Sequence, residues 1–338
     1  MNEELKKIIP LAFNGQLNQE KTSEAFEIIM SGHATDGQIG AFLMALQKSG
    51  ITSQHVLGAI SVMQNKMIKV KIPSNSIDTC GTGGDGKSTL NVSTAMAFVI
   101  AAHNIPVAKH GNKALTSKCG SADVLNSLGI NINMHTDLLE SCLKKIGICF
   151  MFAPNHHPAM RYVGPVRQQI GVRTIFNMLG PLLNPGGVNK QIIGVFSKDV
   201  LKIYKDIFGQ TSGKNTFIIY GFDGMDEIST EGSNLIFSNK FGESNFDPKD
   251  LKISRPNVNE LKGQNPEYNA NRIREIFTGK KDSFYDLVCI NSAFAFLLDA
   301  VKEPNQKNIM EYYELSKTII DNGLAEKKLN DLVSFSNS

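Results

Sequence analysis

The sequence predicts a large α/β domain with a mostly parallel central sheet, joined to a small all-helical domain. Three observations predict it. Residues 1 to about 70 carry helical periodicity only. From Pro73 onward, short β-rich runs alternate with helical ones. Polar, chemically loaded clusters follow four of those runs, which is where open parallel sheets place their ligands.

The helical part is read from spacing and caps. One short amphipathic helix covers about 4–13. A second, over about 20–30, has Ala25, Phe26, Ile28 and Ile29 on one side, and Gly32 follows it. Thr35 caps a third, with Phe42, Leu43, Ala45 and Leu46 inside and Gly50 after its end. Thr52 caps a fourth, with Val56, Leu57, Ile60 and Met63 at helical spacing. None of these carries catalytic chemistry; their apolar faces need a partner surface.

Beyond Pro73, strands are predicted over about 77–80, 106–109, 148–153, 191–197 and 216–221, with helices over about 93–103, 121–128 and 199–208 between them. The segment 165–185 breaks the alternation as a helix and a Gly/Pro-rich loop that crosses back to the helical domain. Domains are therefore expected at 1–72 with about 165–187, and at 73–164 with 188–338. Residues 228–270 read as peripheral strands and loops, and 284–335 as helices.

Composition narrows the chemistry. Hydrophobic residues make up 41% of 338, enough for a sizeable core, and a net charge of +3 is too small to demand a nucleic-acid partner. Five cysteines, none in a C-x-x-C pair, argue against a disulfide framework or a zinc site and point to a reducing cytoplasm. No signal peptide and no membrane-length apolar run is visible.

The stretch after the first strand is the richest. Gly81, Gly83, Gly84 and Gly86 fall within six positions, and Thr82, Asp85, Thr89, Asn91, Ser93 and Thr94 surround them before an apolar helical run. Glycines let the backbone approach a ligand, and successive N–H groups with a helix N-terminus face negative charge. A plain turn needs neither so many glycines nor these polar side chains. Gly81 to Ser88 also has the G-x-x-x-x-G-K-[ST] spacing of a nucleotide loop, which keeps nucleotide hydrolysis open. Against it, Lys109, Asn112 and Arg167 would have no clear role.

Lys109, His110, Gly111 and Asn112 end the second strand, and Thr116, Ser117, Lys118, Gly120 and Ser121 follow at a helix start. A solvated basic turn is the plain reading; a second anion cradle fits the combination better. Two cradles suit a ligand with two separated phosphate groups. Asp226 and Glu227 are usually surface carboxylates; beside a pyrophosphate they would hold magnesium, with Ser93 adding a hydroxyl. Arg167 and Arg173 offer a bidentate partner for a carboxylate. His156 and His157 lack a spaced third metal ligand, which favours packing or an aromatic-substrate wall. Cys80 and Cys119 border the cradles without a paired base, so no nucleophile is assigned.

Taken together, Gly81-Thr82-Gly83-Gly84-Asp85-Gly86, Asn91-Val92-Ser93-Thr94, Lys109-His110-Gly111-Asn112, Gly120-Ser121-Ala122-Asp123-Val124-Leu125, His157-Pro158-Ala159-Met160-Arg161, Arg173-Thr174-Ile175-Phe176-Asn177 and Asp226-Glu227 resemble the anthranilate phosphoribosyltransferase family. The resemblance runs from the helical N-terminus to the C-terminal helices, and it makes the nucleotide-loop spacing coincidental. It implies a magnesium-dependent pentosyltransferase of tryptophan biosynthesis, a homodimer joined through the small helical domains. By position it implies that Gly81, Gly84, Asp85, Thr89, Asn91, Ser93, Thr94, Lys109 and Ser121 bind phosphoribosyl pyrophosphate. It places anthranilate against Gly81, Asn112 and Arg167, with His110 and His157 nearby. Ser93, Asp226 and Glu227 would hold the metal. Three positions depart from the pattern: Ser88 is commonly glycine, Lys113 commonly arginine and Cys119 commonly serine. Lys113 keeps the charge and loses the bidentate fork. Two other readings share the fold: a pyrimidine-nucleoside phosphorylase and a non-catalytic nucleic-acid-binding relative. The acidic pair and the Asn91-Val92-Ser93-Thr94 run speak against the first, and the +3 charge with the intact acidic pair against the second.

Overall fold

Side-chain caps set where the leading helices begin. Asn2, Asn18, Thr35 and Thr52 each accept a backbone N–H from the first turn of α1 (Glu3–Phe13), α2 (Gln19–Met30), α3 (Asp36–Ser49) and α4 (Ser53–Lys66). Thr35 and Thr52 form reciprocal capping boxes with Gln38 and His55. The chain continues through β1 (Ile77–Thr79), α5 (Val92–Ala102), β2 (Val107–Gly111), α6 (Ser121–Ser127), α7 (Thr136–Ile146) and β3 (Ile148–Phe152). Short helices α8 (Ala153–His156), α9 (Gly164–Ile170) and α10 (Phe176–Leu179) come next. Then follow β4 (Lys190–Gly194), α11 (Lys198–Gly209), β5 (Asn215–Tyr220), β6 (Asn234–Ser238) and β7 (Gly242–Phe246). The helices α12 (Val258–Leu261), α13 (Pro266–Phe277), α14 (Ser283–Asp299), α15 (Gln306–Asp321) and α16 (Leu324–Ser336) end it. This computed structural model describes every residue except Asp85, 115–118, Gln210 and Ser212.

The chain divides into two compact units. One is Met1–Lys69 with Ala153–Pro185, and the other is Val70–Phe152 with Gly186–Ser338. In the helical unit, Phe26 packs edge-on against Phe42 at 6.2 Å and meets Phe176 at 5.5 Å in a tilted pair. Phe176 belongs to the returning segment, so aromatic packing joins that segment to α2 and α3. Burying each such ring stabilises by roughly 1.5–3 kcal/mol.

The other unit is built on a sheet of order β3-β2-β1-β4-β5-β6-β7. The first five strands run parallel, and β6 and β7 add antiparallel at one edge. The chain winds from β1 through β2 to β3 on one side, then returns to β4 and β5 on the other. β1 therefore stands at the point where strand order reverses, and the glycine loop leaves its carboxyl end. That is the position open α/β sheets use for ligands. Two helices are buried almost all round: α5, and α14, whose Phe294 meets Phe217 at 6.2 Å and Phe246 at 5.5 Å.

All five predicted strands form, within a few residues of the expected limits. Part of the tract read as peripheral loops is different: α13 begins at Pro266 inside it. Its buried face carries Asn269 and Arg272 beside Ile273 and Ile276, and those polar residues interrupt the apolar pattern. Among the described residues, no helix is long and apolar enough to cross a membrane.

Candidate active site

The glycine loop begins as an extension of the sheet. Cys80 N–H donates to Ile192 O at 3.2 Å, and Thr82 N–H donates to Gly194 O at 2.8 Å. The backbone then enters the left-handed region at Gly83 (φ 65°), Gly84 (φ 74°) and Gly86 (φ 76°), which glycine adopts without steric cost. Ser88, the position commonly glycine in the family, also sits there, at φ 51°. A second segment braces the far side: Gly263 N–H donates to Ser88 O at 2.7 Å and Leu90 N–H to Leu261 O at 3.0 Å. Thr89 forms an isolated bridge with Lys262. Lys87 ion-pairs with Asp223, and α5 does not start until Val92. In a nucleotide loop the helix would start at the Lys-Ser pair, so the matching spacing encodes a different loop. Asp85 lies outside the described residues.

The acidic pair meets this loop. Asp226 and Glu227 follow β5 and a short turn in which Asp223 is left-handed (φ 54°). Asp226 Oδ2 accepts the Gly83 N–H at 2.8 Å. A Cβ on Gly81 would stand 2.6 Å from the same oxygen, so any other residue there would push the Asp226 carboxylate off the loop. Just beyond the pair, buried Asn291 on α14 accepts the Ile228 N–H at 2.9 Å and donates to Ile228 O at 2.9 Å. The carboxylates thus stand on a backbone clamped from below.

The second cluster lies one strand over. Lys109 is buried, and its ammonium donates to Thr79 O, and at 3.4 Å each to Thr79 Oγ1 and Ser93 Oγ. Among the described residues these partners are neutral oxygens, so the cation suits an incoming anion. His110 is buried beside it, its N–H on Asp78 Oδ1 at 3.2 Å. A Cβ on Gly111 would collide with Ser121 Oγ, which donates to Asn112 O at 3.3 Å. Asn112 Oδ1 accepts the Lys113 N–H at 2.8 Å, and the Lys113 ammonium lies 5.9 Å from the Phe152 ring centre. Asp123 Oδ2 closes the base of the loop, accepting Ala114 N–H and Gly120 N–H at 2.9 Å each. Residues 115–118, which include Thr116, Ser117 and Lys118, lie outside the described residues.

At the start of α5, Ser93 O accepts from Thr79 Oγ1 at 2.9 Å, which ties the helix end to β1. Thr94 is buried, and its hydroxyl has no hydrogen-bond partner among the described residues. Gly81, Gly84, Thr89, Asn91, Ser93, Thr94, Lys109, His110, Asn112, Ser121, Asp226 and Glu227 all belong to the α/β unit.

Arg167 and His157 belong to the helical unit. Arg167 lies over the Phe176 ring at 5.1 Å, and among the described residues no carboxylate pairs with it. Burial lowers its pKa from the usual arginine value. His157 is buried and neutral: burial first, then neighbouring His156, pulls its pKa down to about 4 against a backbone bond to Leu183. Burial also pushes the Cys119 thiol up to about 11 and the Cys80 thiol higher still, so neither supplies a thiolate at neutral pH.

Sequence reasoning gave no role to Asp123, Asn291 or Asn269, all of which orient backbone around the cradles. Only Asp123 left a local signal, three residues beyond the helix-capping Gly120. A divalent ion fits the donor set. Among the described residues, no group of three His, Cys, Asp or Glu forms a self-sufficient metal cage. Magnesium bound with a phosphorylated ligand needs only one or two carboxylates, and Asp226, on the glycine loop, and the adjacent Glu227 could supply them.

Comparison with known proteins agrees with this architecture. The model of the glycosyl transferase family a/b domain matches residues 74–326, and that of the family's helical bundle domain matches 5–67. The anthranilate phosphoribosyltransferase of Agrobacterium fabrum is 41% identical over 99% of this chain and 97% of its own length. The enzyme of the same name from Nitrobacter hamburgensis is 39% identical over 99% of both. Among solved structures, anthranilate phosphoribosyltransferase from Thermus thermophilus superposes with a TM-score of 0.89 at 32% identity, covering 98% of this chain and 99% of that one. The Saccharomyces cerevisiae enzyme in complex with PRPP and Mg superposes at 0.93 and 25% identity, covering 100% and 99%. The chain belongs to the anthranilate phosphoribosyltransferase family.

Proposed function

We propose that this chain transfers phosphoribose from 5-phosphoribosyl 1-pyrophosphate to the amine of anthranilate, releasing N-(5-phosphoribosyl)anthranilate and pyrophosphate. The observation that carries the reading is the Asp226 carboxylate on the Gly83 N–H, which brings the acidic pair to the phosphate-facing loop. The names of the relatives support transfer rather than nucleoside phosphorolysis.

The α/β unit takes the activated sugar. Gly81, Gly84, Asp85, Thr89, Asn91, Ser93, Thr94, Lys109 and Ser121 are assigned to phosphoribosyl pyrophosphate. Backbone N–H groups of the loop and the buried Lys109 ammonium face its negative charge. Asp226, Glu227 and Ser93 are assigned to magnesium. When bound, the ion supplies positive charge against the pyrophosphate oxygens. Arg167, whose guanidinium carbon lies 5.1 Å from the Phe176 ring centre, is assigned to the anthranilate carboxylate, with Gly81 and Asn112 against the acceptor and His110 and His157 nearby.

The chemistry needs little proton handling. The aryl amine is neutral at pH 7, and its lone pair forms the new N–C1 bond. The C1–O bond to pyrophosphate breaks, and its electron pair leaves with that group. The surplus amine proton passes to solvent. Protein groups mainly position the reactants and offset charge on the leaving group, which accounts for much of the rate.

The helical unit is assigned the dimer contact, and the chain a place in the cytoplasm. The resemblance supports both, and the absence of C-x-x-C pairs supports the second. Sedimentation equilibrium should give twice the chain mass; a monomer at working concentrations would contradict the dimer. The activity is tested by following loss of anthranilate fluorescence with the purified chain. Loss should require both phosphoribosyl pyrophosphate and magnesium. No product with both present would overturn the reading.

A further inference from the structure

Asn91 ends the glycine loop and occupies the N-cap of α5, yet its side chain makes no capping bond to that helix. Asparagine at this position ordinarily satisfies a first-turn N–H itself. Here the amide is turned aside. Asn91 Oδ1 accepts from Asn269 Nδ2 at 2.9 Å, and Asn91 Nδ2 donates to Cys119 O at 3.4 Å. Asn269 is 1% exposed on α13, and its own Oδ1 accepts the Gln264 N–H at 2.8 Å. Gln264 adjoins the brace that holds Ser88 and Leu90 through Gly263 and Leu261. One buried amide therefore joins three things: the brace under the glycine loop, the end of that loop, and the start of the second cradle.

We propose that Asn269 is a positioning residue for phosphoribosyl pyrophosphate. By holding Asn91 away from α5, it leaves the Ser93 N–H uncapped for the ligand, while the Val92 and Thr94 N–H groups donate to Leu90 O and Asn91 O. By reaching Cys119 through Asn91, it fixes the spacing of the two cradles. A buried amide left without partners costs more than its bonds return, so the saturated arrangement is strongly preferred over a loose one. The proposal rests on the function assigned above, but its consequences are separate. Asn269 is placed to affect the activated sugar and not anthranilate.

The test uses two variants of the full chain. Asn269→Ala removes the link. Asn269→Asp keeps the shape and the acceptor for Gln264 and puts a charged acceptor in place of the donor to Asn91, and Asn91→Ala removes the same contact without adding charge, so together they decide the matter if the alanine variant is not recovered folded. Calorimetry with phosphoribosyl pyrophosphate and magnesium, and KM for each substrate, are the readouts. Both variants should weaken phosphoribosyl pyrophosphate by about tenfold or more and leave the anthranilate KM within about twofold. Asn91→Ala with Asn269→Ala should bind no worse than Asn91→Ala alone, because the two act through one contact. Unchanged affinity for the activated sugar in a folded variant, or an equal rise in both KM values, overturns the proposal. Failure of the wild-type chain to bind phosphoribosyl pyrophosphate would instead overturn the functional assignment.

Discussion

Ser88 holds a left-handed backbone, at φ 51°, between a loop rich in glycine and a brace that fixes its carbonyl. A side chain in that region costs roughly 1–2 kcal/mol, offset in part by glycine's larger loss of freedom on folding. Ser88→Gly should therefore raise stability by up to about 1 kcal/mol in chemical denaturation; a clear loss would mean that the serine makes a compensating bond. Arg167 is the residue on which the acceptor assignment depends. Arg167→Ala should raise the anthranilate KM at least about tenfold and leave phosphoribosyl pyrophosphate little changed. Equal losses for both substrates would contradict the assignment. His157 makes stability depend on pH. Its folded pKa, about 4, lies below its ordinary 6.5, so the unfolded chain binds more protons between those values. Its contribution is complete above pH 6.5 and is lost progressively as pH falls towards 4, by up to about 3 kcal/mol. His55 and His156, also lowered by burial, act in the same direction. Denaturant midpoints at pH 7 and pH 5 check this, and His157→Asn should flatten the slope.

At the scale of elements, the site consists of two loops that each need support. The glycine loop is braced by the segment around Leu261–Gly263, and the acidic loop by Asn291. Asn291→Leu should leave the Ile228 N–H and carbonyl unsatisfied and cost about 2–4 kcal/mol of stability. If denaturation shows less than about 0.5 kcal/mol, the clamp is not a stabilising feature. The glycine loop, the Lys109 turn and the acidic pair were legible in the sequence because each is a local cluster at a strand end. The supports were not. Asn269 and Asn291 read as ordinary polar residues in helices, and only burial against a particular backbone group gives them a role. The same cause hid the start of α13, where polar side chains face inward. Packing of His157 was one of two readings its sequence allowed, but the lowering of its pKa by burial beside His156 was not legible.

At the scale of the whole molecule, alternation of runs was enough to predict a parallel sheet beside a helical bundle. It was not enough to order the strands. That β1 lies between β2 and β4 is a matter of long-range pairing, which leaves no local mark, yet it puts the glycine loop at the reversal point. The chain returns to the helical unit at Ala153, ahead of the Gly/Pro-rich break expected near 165 to mark that return, and Phe176 packs against Phe26 there. In the α/β unit, the glycine loop and the acidic pair are proposed to act together on one activated sugar and its metal. The most direct measurement is turnover of anthranilate and phosphoribosyl pyrophosphate across a magnesium titration, in the wild-type chain and in Asp226→Ala with Glu227→Ala. The wild type should turn over only with magnesium, and the folded double variant should lose at least about a hundredfold in kcat/KM. Normal turnover with the wild-type magnesium dependence in that variant would contradict the account.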